Sequence, residues 1–218
     1  MAYCAYTDVN NLTNIATADV ANATVTEIIK YATYKLNKDI STLIVREEIE
    51  DIDSTRENDI DGSNTTYYVK NWKGKFIADM NDDGDVTTAD IIVYKVDSEG
   101  TETLATVSTI YPENGKFVLS AAPASGTDLY VTYRWSYANC QSSDTTNYDN
   151  RVKMACVLLT AAYCYMKLNW GKAVNVSFGS TRFIRHMDSV DKYYREYQKI
   201  IDGINDQMLE MRESTVGI

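Results

Sequence analysis

Phe76-Ile-Ala-Asp79-Met-Asn81-Asp-Asp83-Gly84-Asp85-Val-Thr87-Thr-Ala-Asp90-Ile91-Ile-Val-Tyr-Lys-Val96 carries two signals in one run of sequence. From Asp79, oxygen-bearing side chains fall at positions 1, 3, 5, 9 and 12, with a glycine at position 6. That is the spacing by which a short loop wraps Ca²⁺. The glycine permits the sharp turn, the next residue offers its carbonyl, and crowded carboxylates repel one another unless a cation sits among them. The expected ligands are Asp79, Asn81, Asp83, Asp85 through its carbonyl, Thr87 and Asp90. Oxygen donors alone, with no His or Cys nearby, indicate a structural ion rather than a catalytic one. Asp90 reaches less far than the Glu usual at position 12, which weakens the affinity expected. The flanks are the second signal. Phe76-Ile77 and Ile91-Ile92-Val93-Tyr94 are apolar, β-branched and aromatic, so the loop runs into a strand, not into the exit helix of a calcium-binding hand.

Outward from the loop the chain continues to read as strands, at 65–69, 91–96, 103–110, 116–120 and 128–136, all rich in β-branched and aromatic residues with much alternation. Glu113-Asn114-Gly115, between Tyr111 and Phe117, is a hairpin signal, and Ala122-Pro123-Ala-Ser125-Gly126 separates the last two strands. Upstream, Leu43, Val45, Ile49 and Ile52 sit among acidic residues until Asp59-Ile-Asp61-Gly62-Ser-Asn64, turn chemistry that ends the element.

Both ends of the chain have helical periodicity. Thr7-Asp8 is expected to cap a short first helix, and a second, from Asn22 or Thr24, carries Val25, Ile28, Ile29, Ala32, Leu36 and Ile40 on one face. Residues 148–169 are apolar around much of a helical circumference, and Trp170-Gly171 is expected to end that helix. A last helix, capped by Asp188 or Ser189, carries Val190, Tyr193, Tyr194, Tyr197, Ile200, Ile201, Ile204, Met208 and Leu209, with Gly203 weakening its middle. The fold class expected is therefore α+β. A helical domain is closed from 1–41 and 139–218, and a β-rich module, 42–138, is inserted between them.

The 218 residues, 44% hydrophobic, suffice for a real core, and 17 tyrosines favour amphipathic aromatic surfaces of the kind that become interfaces. A net charge of -10 argues against a protein that grips phosphate backbones. Cys4, Cys140, Cys156 and Cys164 lack zinc-site spacing and read as reduced, buried thiols; of the pairs, only Cys4 with Cys140 is a candidate to meet. Neither a signal peptide nor a membrane-spanning stretch is legible, so a soluble protein made in a cytoplasm is expected.

No catalytic constellation emerges, and no enzyme is expected. The single His186 has no partnered Ser or Cys, and Asn169-Trp-Gly171-Lys172 lacks the rest of a phosphate loop. Glu47-Glu48 and Glu50-Asp51 read as a charged face. Asn11, Asn22, Asn64 and Asn175 begin Asn-x-Ser/Thr tripeptides without a secretion signal to use them. Arg182, Arg185, Lys192 and Arg195 form a modest basic cluster that reads as a solvated face or as a contact for an acidic partner or a phosphate.

Two resemblances cover different stretches. The segment 78–90 resembles the calcium-binding repeat of dockerin modules, although a dockerin has two copies, each followed by a helix. The opening Tyr3-Cys-Ala-Tyr6-Thr-Asp8-Val9-Asn-Asn-Leu12, with the later Val25-Thr-Glu-Ile28-Ile29-Lys-Tyr-Ala32, resembles the start of head-tail connector (adaptor) proteins of tailed bacterial and archaeal viruses. Gly115-Lys-Phe117 through Tyr133 is similar to β insertions of viral structural proteins. The connector resemblance implies a structural virion protein at the head–tail junction. It would form a homo-oligomeric ring, expected as twelve-fold, between portal protein and tail or head-completion proteins, with DNA passing through its channel without specific binding. It brings no catalytic residues and does not account for the calcium-type loop. A calcium-stabilised dockerin-like or adhesin-like protein-binding module is the alternative.

Overall fold

The computed structural model describes residues 2–13, 15–49, 58–172 and 180–206, by backbone alone at 169–172 and 180–187. Its helices and antiparallel sheets make an α+β protein. The chain divides into two compact units, one of residues 1–39 with 149–218 and one of residues 40–148. The second boundary lies ten residues beyond the 138/139 read from sequence, because the stretch after the last strand folds into turns that bond within the β unit. One is Asp144 N–H to Gln141 O, 2.9 Å, and another Tyr148 N–H to Asp144 O, 3.0 Å.

The helical unit contains α1 (Tyr6–Thr13), α2 (Asn22–Ile40), α3 (Asn150–Lys172) and α4 (Ser180–Asn205). Asp8 does not cap α1 from outside. It lies in the first turn and reaches back to accept the Ala5 N–H at 2.9 Å, the acidic half of a capping box. In α2 most of the expected stripe is buried: Val25, Ile29, Ala32, Leu36 and Ile40 are at most 3% exposed, whereas Ile28 is half-buried. Each large member contributes about 1.5–3 kcal/mol by leaving water.

Helix α3 starts two residues later than read, because Asp149 is its cap and accepts the Arg151 N–H at 2.9 Å. It buries Val152, Ala155, Cys156, Leu158, Leu159, Ala162 and Cys164. The helix runs on through Gly171 to Lys172: a helical glycine costs only about 1 kcal/mol, too little to force an end. Likewise α4 begins at Ser180, so Asp188 and Ser189 are interior residues rather than caps. Ser and Asp lower helix propensity by only about 0.5 kcal/mol each, so a cap-like pair need not mark a start.

Polar ties join the two chain segments of this unit. The Tyr197 hydroxyl donates to Asp39 Oδ2 at 2.6 Å and Asn205 Nδ2 to the Asp39 carbonyl at 3.0 Å. Burial first, then the Asp39 contact, raises the Tyr197 hydroxyl well above the usual tyrosine range. Lys153 pairs with Asp8 at 3.0 Å. All four thiols are buried, and none, the candidate pair Cys4 and Cys140 included, is in a disulfide. Cys140 belongs to the β unit, whereas Cys4 lies in the helical unit with its sulfur 3.3 Å from that of Cys156.

The β unit holds β1 (Ser41–Glu48), β2 (Thr66–Tyr68), β3 (Phe76–Ala78), β4 (Ile91–Val96), β5 (Glu102–Ala105), β6 (Val107–Tyr111), β7 (Lys116–Leu119) and β8 (Asp128–Ser136). One sheet has the order β1-β8-β4-β5 with β3 also on β8, the other β2-β7-β6. β8 is the spine of the larger sheet, and its Leu129, Val131 and Tyr133 are fully buried in strict alternation. The single strand expected at 103–110 is two strands of different sheets, β5 pairing β4 and β6 pairing β7. Propensity runs unbroken through that stretch, so a change of sheet leaves no composition signal.

The run from residue 42 is the edge strand β1, kinked by a bulge between Ile44 and Glu47 at which Arg46 adopts a positive φ of 55°. The hairpin signal at 113–115 marks the β6–β7 connection, a 3₁₀ turn at Pro112–Asn114 closed by Gly115 at φ 58°.

Candidate metal centre

The calcium-type loop occupies an unusual place in the larger sheet. Ala78 of β3 lies opposite Arg134 of β8, and Ile91 of β4 lies opposite Tyr133, the next residue along. β3 and β4 are therefore one interrupted strand, and Asp79 to Asp90 is an excursion that leaves and rejoins the ladder at successive positions. Such closed loops need internal bonds, because their backbone has no ladder partner.

Those bonds come from the residues singled out in the sequence. Asp79 Oδ2 accepts the Gly84 N–H at 2.7 Å and its Oδ1 the Asp83 N–H at 3.3 Å. Asn81 Oδ1 also accepts from Asp83 N, at 3.0 Å, and Asp83 Oδ1 from Asp85 N, at 3.0 Å. Gly84, at φ 85°, makes the turn that a side chain would disfavour. At the far end Asp90 Oδ1 accepts the N–H groups of Met80 and Asn81 at 2.7 and 3.1 Å, and Oδ2 that of Thr87 at 2.7 Å. Residue 12 of the loop thus clasps residues 2 and 3. Thr87 caps the short 3₁₀ turn Thr88–Asp90 in a reciprocal capping box. The Asp85 carboxylate turns elsewhere, to Val86 N at 2.9 Å and to Ser143 N and Oγ at 3.3 Å.

Asp79 and Asp90 are both fully buried, at 0% exposure. Burial raises the Asp90 carboxyl above the usual carboxylate range, the three N–H groups pull it down, and the nearby Asp83 charge adds to the rise. Among the described residues, no three His, Cys, Asp or Glu side chains are grouped closely enough to hold a metal ion. The carboxylates face backbone amides, whose partial positive charges do part of what a cation would do. The donor chemistry nevertheless suits Ca²⁺: oxygen atoms alone, two of the carboxylates withdrawn from water, and a glycine turn among them. Asp79, Asn81, Asp83, Thr87, Asp90 and the Asp85 carbonyl would hold it, and its charge would oppose the repulsion between Asp83 and Asp90.

Other residues from the sequence reading fall differently. Glu47 is not merely part of a charged face: its Oε1 accepts the Lys70 N–H at 2.8 Å and its Oε2 the Tyr133 hydroxyl at 3.1 Å. Lys192 and Arg195 are exposed on α4. The side chains of His186, Arg182 and Arg185 lie outside the described residues, as do Glu50, Asp51 and Asn175. Sequence reasoning missed the Arg46 cluster, in which the guanidinium pairs with Glu102 and lies 5.1 and 5.3 Å from the ring centres of Tyr94 and Tyr130. Its members come from four strands of one sheet, β1, β8, β4 and β5, and no local spacing announces it.

Among the described residues no helix is long and apolar enough to cross a membrane. No protein-family model, no curated protein and no solved structure matches the chain.

Proposed function

We propose that this chain is a structural virion protein, a head–tail connector whose identical copies form a ring between portal and tail and extend the DNA channel. The observation that carries the reading is the helical unit, assembled from both chain ends around an inserted β unit, with large apolar side chains left in solvent on every helix. Tyr6 and Leu12 on α1, Tyr31 and Tyr34 on α2, Met154 and Met166 on α3 and Tyr194 on α4 are between 37% and 69% exposed. Aromatic and Met side chains are enriched where proteins meet, and a ring needs such contacts on two sides of each copy. The net charge of -10 suits a channel past which DNA slides without adhering. Electron microscopy and light scattering of the purified chain, alone and mixed with portal protein, test this. Closed rings, free or seated on the portal, are expected. A chain that stays single in both conditions, with none of it in purified particles, would leave the calcium-stabilised binding module as the better reading.

Independently of the connector reading, we propose that the 79–90 loop holds a structural Ca²⁺ that stiffens the interrupted strand. At a free concentration about a hundredfold above Kd, an ion bound only by the folded chain adds about 2.7 kcal/mol, which for this size raises Tm by about 5–10 °C. Asp79→Asn is expected to remove most of that rise. Absence of calorimetric heat with Ca²⁺, together with a Tm indifferent to chelator, would overturn it.

A further inference from the structure

The readings above leave one buried reactive pair without a role. Cys4 lies in the segment ahead of α1 and Cys156 inside α3, 152 residues apart in sequence, and the Cys4 thiol points its proton at the Cys156 sulfur across 3.3 Å. Cys156 is fully buried and Cys4 is 8% exposed, so the pair has an opening only on the Cys4 side. The Thr33 hydroxyl stands 3.8 Å from the Cys156 sulfur. Cys164 is two further turns along α3, and Cys140 belongs to the other unit. Of the four thiols, these two alone are in mutual contact among the described residues.

We propose that Cys4 and Cys156 are a redox staple: hydrogen peroxide joins them in a disulfide that fastens the N-terminal segment of the helical unit to α3. One sulfur of the pair, as thiolate, attacks one peroxide oxygen, the O–O bond breaks, and a sulfenic acid forms with release of hydroxide. The other sulfur then attacks the oxidised one. The S–OH bond breaks as the S–S bond forms, and water leaves with the proton of the second thiol. In sum, two thiols and one peroxide give one disulfide and two waters.

Each sulfur acts on the other. The contact with Cys4, against burial and with help from Thr33, lowers Cys156 below the ordinary thiol range, while the same contact and burial raise Cys4. A closing movement of about 1 Å brings sulfurs in contact to bonding distance, and Cys4 lies ahead of α1, outside any regular element.

The consequence is specific to this topology. The helical unit is made of two chain segments separated in sequence by the whole β unit, and the bond would close that entire span into one covalent loop. Long closed loops restrict an unfolded chain the most in the chain-entropy account. The staple forms when the protein passes from a reducing to an oxidising medium, and it does not depend on the connector reading.

Peroxide treatment of the full chain, followed by intact mass and peptide mapping, tests the proposal. The expected result is a loss of about 2 Da, the two thiol hydrogens, with one linked peptide pair holding Cys4 and Cys156. The linked protein should melt higher than the reduced form. Fragments of a chain cut within residues 40–148 should stay together on a gel until reductant is added. Cys140→Ser should form the link as the parent does and Cys4→Ser should not. Stepwise gain of oxygen without a linked pair, linkage through Cys140 or Cys164, or a link that leaves the melting temperature unchanged would each overturn it.

Discussion

Gly203 in α4 and Gly115 between β6 and β7 stand in the helical and the β unit, and an added methyl group meets opposite surroundings at the two. At Gly203 it would meet nothing within 4 Å; at Gly115 it would lie 2.7 Å from Trp72 Cβ and 2.9 Å from Trp72 Cα, on a backbone already at φ 58°. The difference reaches beyond glycine. The helical unit is held by broad apolar burial along regular helices, which tolerates an irregular residue on an open face. The β unit is held at particular points, where turns with positive φ and carboxylates bonded to backbone amides leave one acceptable residue each. Asp61, Asp79, Asp90, Asp97 and Asp144 all accept loop or turn N–H groups in that unit. Part of the acidic composition is thus loop architecture as well as charge.

The contrast can be broken by substitution. Leu159→Ala, at a fully buried position of α3, is expected to cost about 3–4 kcal/mol. Denaturant unfolding followed by helical circular dichroism would measure it, and a cost below about 1 kcal/mol would mean that burial is not what holds the helical unit. Gly115→Ala should cost about 2 kcal/mol from the left-handed backbone and the Trp72 contact together. Tryptophan fluorescence reports it, and near-neutrality would show that the β unit yields at its turns after all.

Gly203→Ala should act in the other direction, adding about 0.5–1 kcal/mol by removing a flexible residue from a helix without a clash. A small rise in Tm is the readout. The smallest effect concerns Asp61, fully exposed, whose carboxyl is lowered to about 2 by the Asn64 N–H, then by the Ser63 hydroxyl and N–H. Its folded value lies below the ordinary 3.8, so its contribution is complete above that pH and fades as pH falls toward about 2. An NMR titration of its carboxyl carbon should show the low midpoint, and Asp61→Asn should flatten the acid dependence only in that window. A midpoint near 3.8 would remove the turn from the contrast.

Much of the helical unit was legible because its period is local: Val25, Ile29, Ala32, Leu36 and Ile40 repeat at helical spacing and are the residues buried. Helix ends were less legible, since Asp188-Ser189 and Gly171 resemble stop and start signals whose energies are too small to overrule a continuing helix. In the candidate site, the acidic loop with its glycine turn was legible, and so was the strand on its exit side. The destination of each carboxylate was not, because Asp90 bonds Met80 and Asn81 across the loop, and only the closed excursion between β3 and β4 brings those ends together.

By itself the sequence determined most of the helical and extended segments, the glycine turn at 84 and the acid-rich loop, since each is written in neighbouring residues. Tertiary structure alone decided that residues 103–110 serve two sheets, that Arg46 meets Tyr94 and Tyr130, and that Cys4 faces Cys156. Those pairings join residues far apart in the chain, and their geometry follows from how the sheets and helices pack, which no local spacing encodes.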